Sequence, residues 1–305
     1  MPDFIARVLY VLVSAFARLP WPWLRTLGDG VAWLWQHSGD RENRVALRNL
    51  EMACAELLPG QRDALQHEIL RTTARQAFET LRLWTRPHAE NLKLIRETQG
   101  VDLFDAAIAA GKGVIVAAPH YGNWELLNQW LAAHTPLAIL FRPPESRLGE
   151  AFLRRVRGDK DDRITQIRAE AAGIRQLFKR LRVGGVVGIL PDQQPKRGDG
   201  EFAPFFGKPA YTMTLLSRLA ERSGATVLFA YCERIGDQAF ALRIEPAPAA
   251  IASSDAIVAI TALNAAVERI ARRSPAQYQW TYKRYTLQPS LNPNHNPYRD
   301  LEGRA

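Results

Sequence analysis

His120 and Glu125 are the two side chains of this sequence best suited to moving a proton together. A histidine titrates near neutrality and can take the proton of a hydroxyl as that oxygen attacks. A carboxylate on its other ring nitrogen would fix the tautomer and stabilise the imidazolium, as the acid of a catalytic triad does. No serine or cysteine lies between Gly111 and Glu125. Direct attack by a substrate hydroxyl is therefore the simplest use of the dyad, and water in its place would make a thioester hydrolase. The spacing His-x-x-x-x-Glu also arises by chance, and a structural histidine capping a helix accounts for it equally.

Positioning such a pair requires a strand and a helix on either side of it. Val114, Ile115 and Val116 form a β-branched run between Gly113 and Pro119, which predicts a central, covered strand. Asn123 is an N-cap candidate, and Trp124, Leu127, Trp130 and Leu131 recur after it at helical spacing. His120 thus falls in a strand-to-helix turn at the carboxyl end of a strand, where open α/β sheets place their ligands. Glu125 falls in the first turn of the helix, within reach of an imidazole nitrogen.

Beyond residue 90 strands and helices alternate. Strands are predicted over 92–97, 113–118, 137–141, 185–190, 226–231 and 239–244, and helices over 101–110, 124–133, 147–157, 169–182, 211–223 and 255–273. This predicts an α/β fold with a mixed, largely parallel sheet covered by helices on both faces. The segment 1–90 reads as all-α. Residues 1–36 hold two apolar stretches, 4–19 and the Trp-rich 21–35, which are expected to form a membrane anchor or interfacial hairpin. A secretory signal fits less well, with Asp3 ahead of Arg7 and no small-residue cleavage site before Trp21; an ordinary core helix is the plain alternative. Residues 37–90 form a helical lid layer with one row of Val45, Leu47, Leu50 and Met52 and a long helix ending near Trp84. Residues 91–289 form the α/β domain, and 290–305, rich in Asn and Pro, an extended tail.

Composition narrows the partners. At 305 residues with 47% hydrophobic residues the chain can bury a full core, and its net charge of +9 points to an anionic partner. Eight tryptophans favour a membrane surface. Nucleic acid is disfavoured, because zinc spacing, a helix-turn-helix signature and an RNA-stacking motif are all missing. Gly-x-Gly-x-x-Gly, the P-loop and Gly-x-Ser-x-Gly are likewise missing, which argues against dinucleotides, P-loop nucleotides and the ordinary serine hydrolase. Cys54 and Cys232 lack paired or ligand spacing, so neither a disulfide nor a metal is expected.

The stretch Pro119-His120-Tyr121-Gly122-Asn123-Trp124-Glu125 resembles the His-x-x-x-x-Asp/Glu motif of the glycerolipid acyltransferase superfamily. It is most similar to the bacterial late lipid A acyltransferases, the lauroyl and myristoyl transferases. Further stretches agree in order: Arg44 to Leu50, Phe141-Arg142-Pro143 with Arg157, Leu190 to Gln194, Pro204-Phe205-Phe206-Gly207, and Pro275 to Trp280 followed by Lys283-Arg284. Together they span roughly residues 40–289. Gln194 stands where several relatives carry a second acid, and Thr281-Tyr282 where a histidine is often found.

The resemblance implies acyl transfer from an acyl carrier protein thioester to a hydroxyl of a lipid A precursor, at the cytoplasmic face of the inner membrane of a Gram-negative cell. His120 would be the base and Glu125 its orienting partner, with no cofactor beyond the carrier-bound chain. Arg142, Arg157, Asp192, Asn123, Lys283 and Arg284 would bind substrate: Arg142 and Arg157 the phosphates of an anionic glycolipid acceptor or the acidic carrier protein, and Asp192 the acceptor hydroxyl or a basic side chain. Plainer readings stand beside this one. The basic run around Arg147, Arg154, Arg155 and Lys160, set against Glu145, Glu150 and Asp159, is also what a solvated helix face looks like. Asp192 is also an ordinary turn residue, and Phe202, Phe205 and Phe206 line an acyl channel or fill a core. A different lipid acceptor, such as a lysophospholipid or ornithine lipid, or a non-catalytic membrane-binding protein remain as alternatives.

Overall fold

The computed structural model describes residues 2–144, 146–157, 163–290 and 295–301. Glu145, Asp159 and Lys160 lie outside the described residues. The chain opens with helices α1 (Pro2–Phe16), α2 (Trp21–Ser38), α3 (Arg41–Ala53), α4 (Pro59–Thr85) and α5 (His88–Leu92). Strands and helices then alternate: β1 (Ile95–Gln99), α6 (Val101–Ala109), β2 (Val114–Ala117), α7 (Trp124–His134), β3 (Leu137–Phe141) and α8 (Arg147–Arg157). They continue with β4 (Ile164–Arg168), α9 (Ala171–Arg182), β5 (Val186–Ile189), β6 (Gly200–Phe205) and β7 (Lys208–Met213). Last come α10 (Leu215–Ser223), β8 (Thr226–Gly236), β9 (Ala239–Pro246) and α11 (Ala256–Ala271).

The compact units do not follow the linear partition 1–36, 37–90, 91–289 and 290–305. One unit is Met1–Leu24, Ala77–Leu190 and Arg222–Pro246; the other is Arg25–Gln76, Pro191–Glu221 and Ala247–Ala305. Hydrophobic periodicity locates elements but not which of them share a core, and here each core is assembled from three separate stretches.

The first unit contains a seven-stranded sheet in the order β1-β9-β8-β2-β5-β3-β4. Every neighbouring pair is parallel except β8 with β9. Strand β2 lies in the middle and is buried along its whole length, as its β-branched run requires. Val114 and Val116 join a core with Leu126, Leu127, Trp130 and Leu131 of α7 and Phe104 of α6. The six expected strands are all found in this sheet, which has one addition: Ile164–Arg168 is an edge strand, short and half exposed, and so carries little apolar signal.

Helix α1 rests one side on α8, where Ala6 packs with Ala151, Phe152 and Val156 and the Arg155 guanidinium lies 4.9 Å above the Tyr10 ring. Its other side leaves apolar residues in the open, with Phe4 70%, Val11 59% and Leu12 62% exposed. That excludes an ordinary core helix. Among the described residues no single helix is long and apolar enough to cross a membrane, although α1 and α2 together, broken between them, meet that length and composition.

In the second unit a β6–β7 hairpin packs on α11. The predicted helix over 211–223 begins at Leu215, because Tyr211 to Met213 complete β7. The hairpin turn is Phe206-Gly207, with φ of 48° and 69°, the left-handed pair of a two-residue turn. Helix α3 buries Val45, Ala46, Asn49, Leu50 and Ala53, a face rotated from the predicted row so that a polar residue enters the core. The described part of the tail, residues 295–301, is folded back and not extended. Tyr298 is fully buried, donates its hydroxyl to Asn49 Oδ1 and accepts from the Tyr285 N–H at 3.2 Å, while Arg48 grips Asp300 at 2.8 and 3.1 Å.

Candidate active site

In the first unit β2 ends at Ala117, and residues 118–123 form the turn into α7. Gly122 adopts φ of 63°, and a Cβ there would lie 2.0 Å from the Cys232 carbonyl oxygen, so a side chain is excluded at this position. Directly after it the Asn123 N–H donates to that same carbonyl at 2.8 Å. The Asn123 side-chain oxygen accepts from the Leu126 N–H at 3.1 Å, the N-cap bond that starts α7. This turn carries His120, half-buried, with its ring edge-on to Trp124 at a centroid distance of 5.0 Å.

Glu125 lies in the first turn of α7 and is 4% exposed. Its carboxylate accepts from Arg157, the last residue of α8, with Nε at 3.0 Å and Nη2 also engaged. A carboxylate at this depth needs a paired cation to stay ionised, and the forked guanidinium supplies one in fixed geometry. Arg157 therefore serves Glu125, whereas the sequence places it against the acceptor. The two are 32 residues apart on different helices, and no local spacing could have joined them. Asn123 is likewise spent within the protein: fully buried, it caps α7 with its oxygen and donates from Nδ2 to Glu79 at 3.3 Å, which leaves no substrate contact.

Past the end of β3 the chain carries a basic rim of exposed cations. Arg142 follows β3, which runs parallel to β2, so it leaves the same edge of the sheet as His120, and it is exposed. On α8 Arg147 is exposed, Arg154 is 68% exposed and 3.6 Å from Asp3, and Glu150 is taken by Arg168.

Three more candidates lie in the second unit. Asp192 is buried and hydrogen-bonded to the Tyr278 phenol; burial above all, and then this carboxylate, pushes that phenol well above its usual range. Lys283 is half-buried, its ammonium 6.0 Å from the Tyr298 ring. Arg284 is 4% exposed, donating to the Tyr211 carbonyl at 2.6 Å and to Thr212 Oγ1 at 2.8 Å, with its plane over Phe205. It is a core residue, a correction to the expected substrate contact, because its charge is absorbed by a carbonyl, a hydroxyl and a ring. Phe205 and Phe206 are core as well, packed with Tyr278, Trp280 and Tyr285.

The two positions that depart from the resembled pattern touch each other. The Gln194 N–H donates to the Tyr282 hydroxyl at 3.1 Å, and Gln194 Oε1 accepts from the Leu287 N–H at 2.8 Å. An amide and a phenol thus tie together segments where an acid and a histidine would put charges. Cys54 and Cys232 are free and buried. Among the described residues no group of three or more His, Cys, Asp or Glu side chains could hold a metal ion.

Comparison with known proteins completes the picture. The family described as bacterial lipid A biosynthesis acyltransferase matches residues 3–286. The lipid A biosynthesis palmitoleoyltransferase of Escherichia coli (strain K12) is 26% identical over 279 residues, 90% of this chain and 88% of that one. The lauroyltransferase of the same organism is 24% identical, covering 94% and 92%. A phosphatidylinositol mannoside acyltransferase of Mycobacterium tuberculosis is 28% identical over 212 residues, 67% of this chain and 64% of that one.

Proposed function

The chain belongs to the bacterial lipid A biosynthesis acyltransferase family and is an acyltransferase, and from this premise we propose how it works. It transfers a fatty acyl chain from an acyl carrier protein thioester to a hydroxyl of a lipid A precursor. His120 takes the hydroxyl proton as the oxygen attacks the thioester carbonyl. The tetrahedral intermediate then expels the carrier thiolate, which receives that proton from the imidazolium, so the base is restored and acyl, proton and thiol balance. Glu125 orients the imidazole and stabilises its charged form, and Arg157 clamps the Glu125 carboxylate in its buried place.

The observation that carries this reading is a half-buried histidine at a parallel strand's carboxyl end, followed one helical turn on by a buried carboxylate clamped to an arginine. Arg142 and Arg147 give the rim a positive field suited to a phosphorylated glycolipid and an acidic carrier. The outward apolar side of α1 is suited to the cytoplasmic face of the inner membrane, where both substrates meet. A second reading keeps the chemistry and changes the acceptor to another anionic glycolipid; the mannoside acyltransferase match favours it.

Lipid A from cells with and without this protein distinguishes the two by mass: loss of one acyl chain supports the first reading, and an unchanged profile moves the acceptor elsewhere. In vitro, His120→Ala lowers transfer from the carrier thioester at least about a hundredfold, the size of a general-base contribution, with the melting temperature unchanged. Retained activity would overturn the base assignment.

A further inference from the structure

Two buried carboxylates stand beside the His120 turn with no part in the chemistry above, Glu79 of α4 and Glu233 of β8. Glu233 accepts from the Tyr121 hydroxyl and lies 3.3 Å from Arg243 Nε. Glu79 is gripped by Arg234, whose Nε donates at 2.9 Å to each oxygen, the two side chains being 12% and 10% exposed. One Glu79 oxygen also accepts from Asn123 Nδ2 at 3.3 Å.

The last contact gives this ion pair its reach. An amide side chain has an accepting end and a donating end, and α7 needs the accepting end of Asn123 at the Leu126 N–H. Turned by half a rotation, Asn123 would aim its NH2 at that N–H and the cap would be lost. An ionised carboxylate can only accept, so Glu79 admits the correct orientation and rejects the flipped one. Arg234 pairs with the carboxylate and holds it in place. Asn123 separates His120 from Glu125 in the chain, and its backbone is tied to Cys232, two residues before Arg234. Asn123 is thus fixed at its side chain by Glu79 and at its backbone by Cys232, between the two members of the dyad.

We propose that Glu79 and Arg234 are positioning residues for acyl transfer, setting the geometry between His120 and Glu125 through the bond that anchors the Asn123 side chain. This rests on His120 acting as the base. Steady-state kinetics of the full chain with carrier thioester and lipid A precursor tests it. Glu79→Gln is expected to lower kcat roughly ten- to a hundredfold, the range produced by small misplacements of catalytic groups, with KM for both substrates unchanged. Asn123→Ser retains an oxygen to cap α7 but cannot reach Glu79. It is expected to melt close to the parent protein and to lose kcat to the same extent, and combining it with Glu79→Gln is expected to cost nothing further.

A folded Asn123→Ser protein with full kcat would overturn the proposal, as would losses that multiply in the double variant or appear in KM alone. If Glu79→Gln fails to fold, Asn123→Ser decides the matter by the same two outcomes. His120→Ala, run in parallel, separates the two levels. Activity surviving there removes the base assignment, whereas activity lost there but kept in Asn123→Ser removes the positioning role only.

Discussion

In the sheet-bearing unit, buried carboxylates are held by guanidiniums: Glu125 by Arg157, Glu79 by Arg234 and Glu233 by Arg243. In the other unit the buried polar groups are mostly held by neutral partners. Asn49 Nδ2 donates to the Trp280 and Tyr282 carbonyls at 2.6 and 2.9 Å, Asn264 Nδ2 donates to the Pro204 carbonyl at 3.0 Å, and the phenols of Tyr285 and Tyr298 find oxygens. A buried ion pair is costly to desolvate and stabilises a fold little compared with apolar packing. Three of them around one turn therefore say less about stability than about the need for fixed charge near His120. A neutral network costs less to bury and suits a unit whose polar groups serve packing.

The contrast is broken most forcefully at Arg157. Arg157→Met would strand an ionised Glu125 in the core, at an expected cost of about 3–5 kcal/mol in folding free energy, together with loss of acyl transfer. Adding Glu125→Gln should return most of that stability, since no charge is left unpaired, but none of the activity. Chemical denaturation and transfer assays on the two variants separate the effects. If Arg157→Met is as stable as the parent protein, the charges are not what holds this turn.

In the second unit the corresponding test removes a neutral hub. Asn49→Ala leaves the Trp280 and Tyr282 carbonyls and the Tyr298 hydroxyl without their shared partner. Unsatisfied buried groups cost about 1–3 kcal/mol each; the Tyr298 hydroxyl still accepts from the Tyr285 N–H, so the two carbonyls at the lower end give about 2 kcal/mol. A loss as large as that at Arg157 would mean that the two units do not differ in the way their bonds suggest.

What the sequence made legible follows from the range of each interaction. The strand at Val114, the cap at Asn123 and the turn at Gly122 are local, and each is written in a few consecutive residues. The partners of those residues are not local. Glu79 meets Arg234 across 155 positions, and Glu125 meets Arg157 across two helices. The family resemblance marked Arg157 and Arg284 as substrate-binding, because a motif carries no record of a partner distant in the chain. One proves to hold the acid and the other to fill the core beneath Phe205. The Phe205-Phe206-Gly207 motif left acyl-channel lining and core equally open because an aromatic pair says nothing of backbone angles; Phe206 at φ of 48° makes it a hairpin turn.

The mildest probe of the contrast is alkaline pH. Burial, first of all, raises the Tyr278, Tyr285 and Tyr298 phenols above the usual value of about 10. A phenol with a raised folded-state value keeps its proton in the native protein while the unfolded chain releases it. The phenols' contribution to stability is thus untouched below about pH 10 and falls above it, by about 1.4 kcal/mol per pH unit for each phenol held back, until the folded-state value is reached. The guanidiniums of the first unit do not titrate in that window, so its ion pairs should not contribute to the loss. Of the eight tyrosines, these three should gain phenolate absorbance only as the protein unfolds, and Tyr298→Phe should flatten the decline. If all eight titrate together near pH 10 with the fold intact, the neutral network of the second unit is not closed to solvent, and the comparison fails at its weaker end.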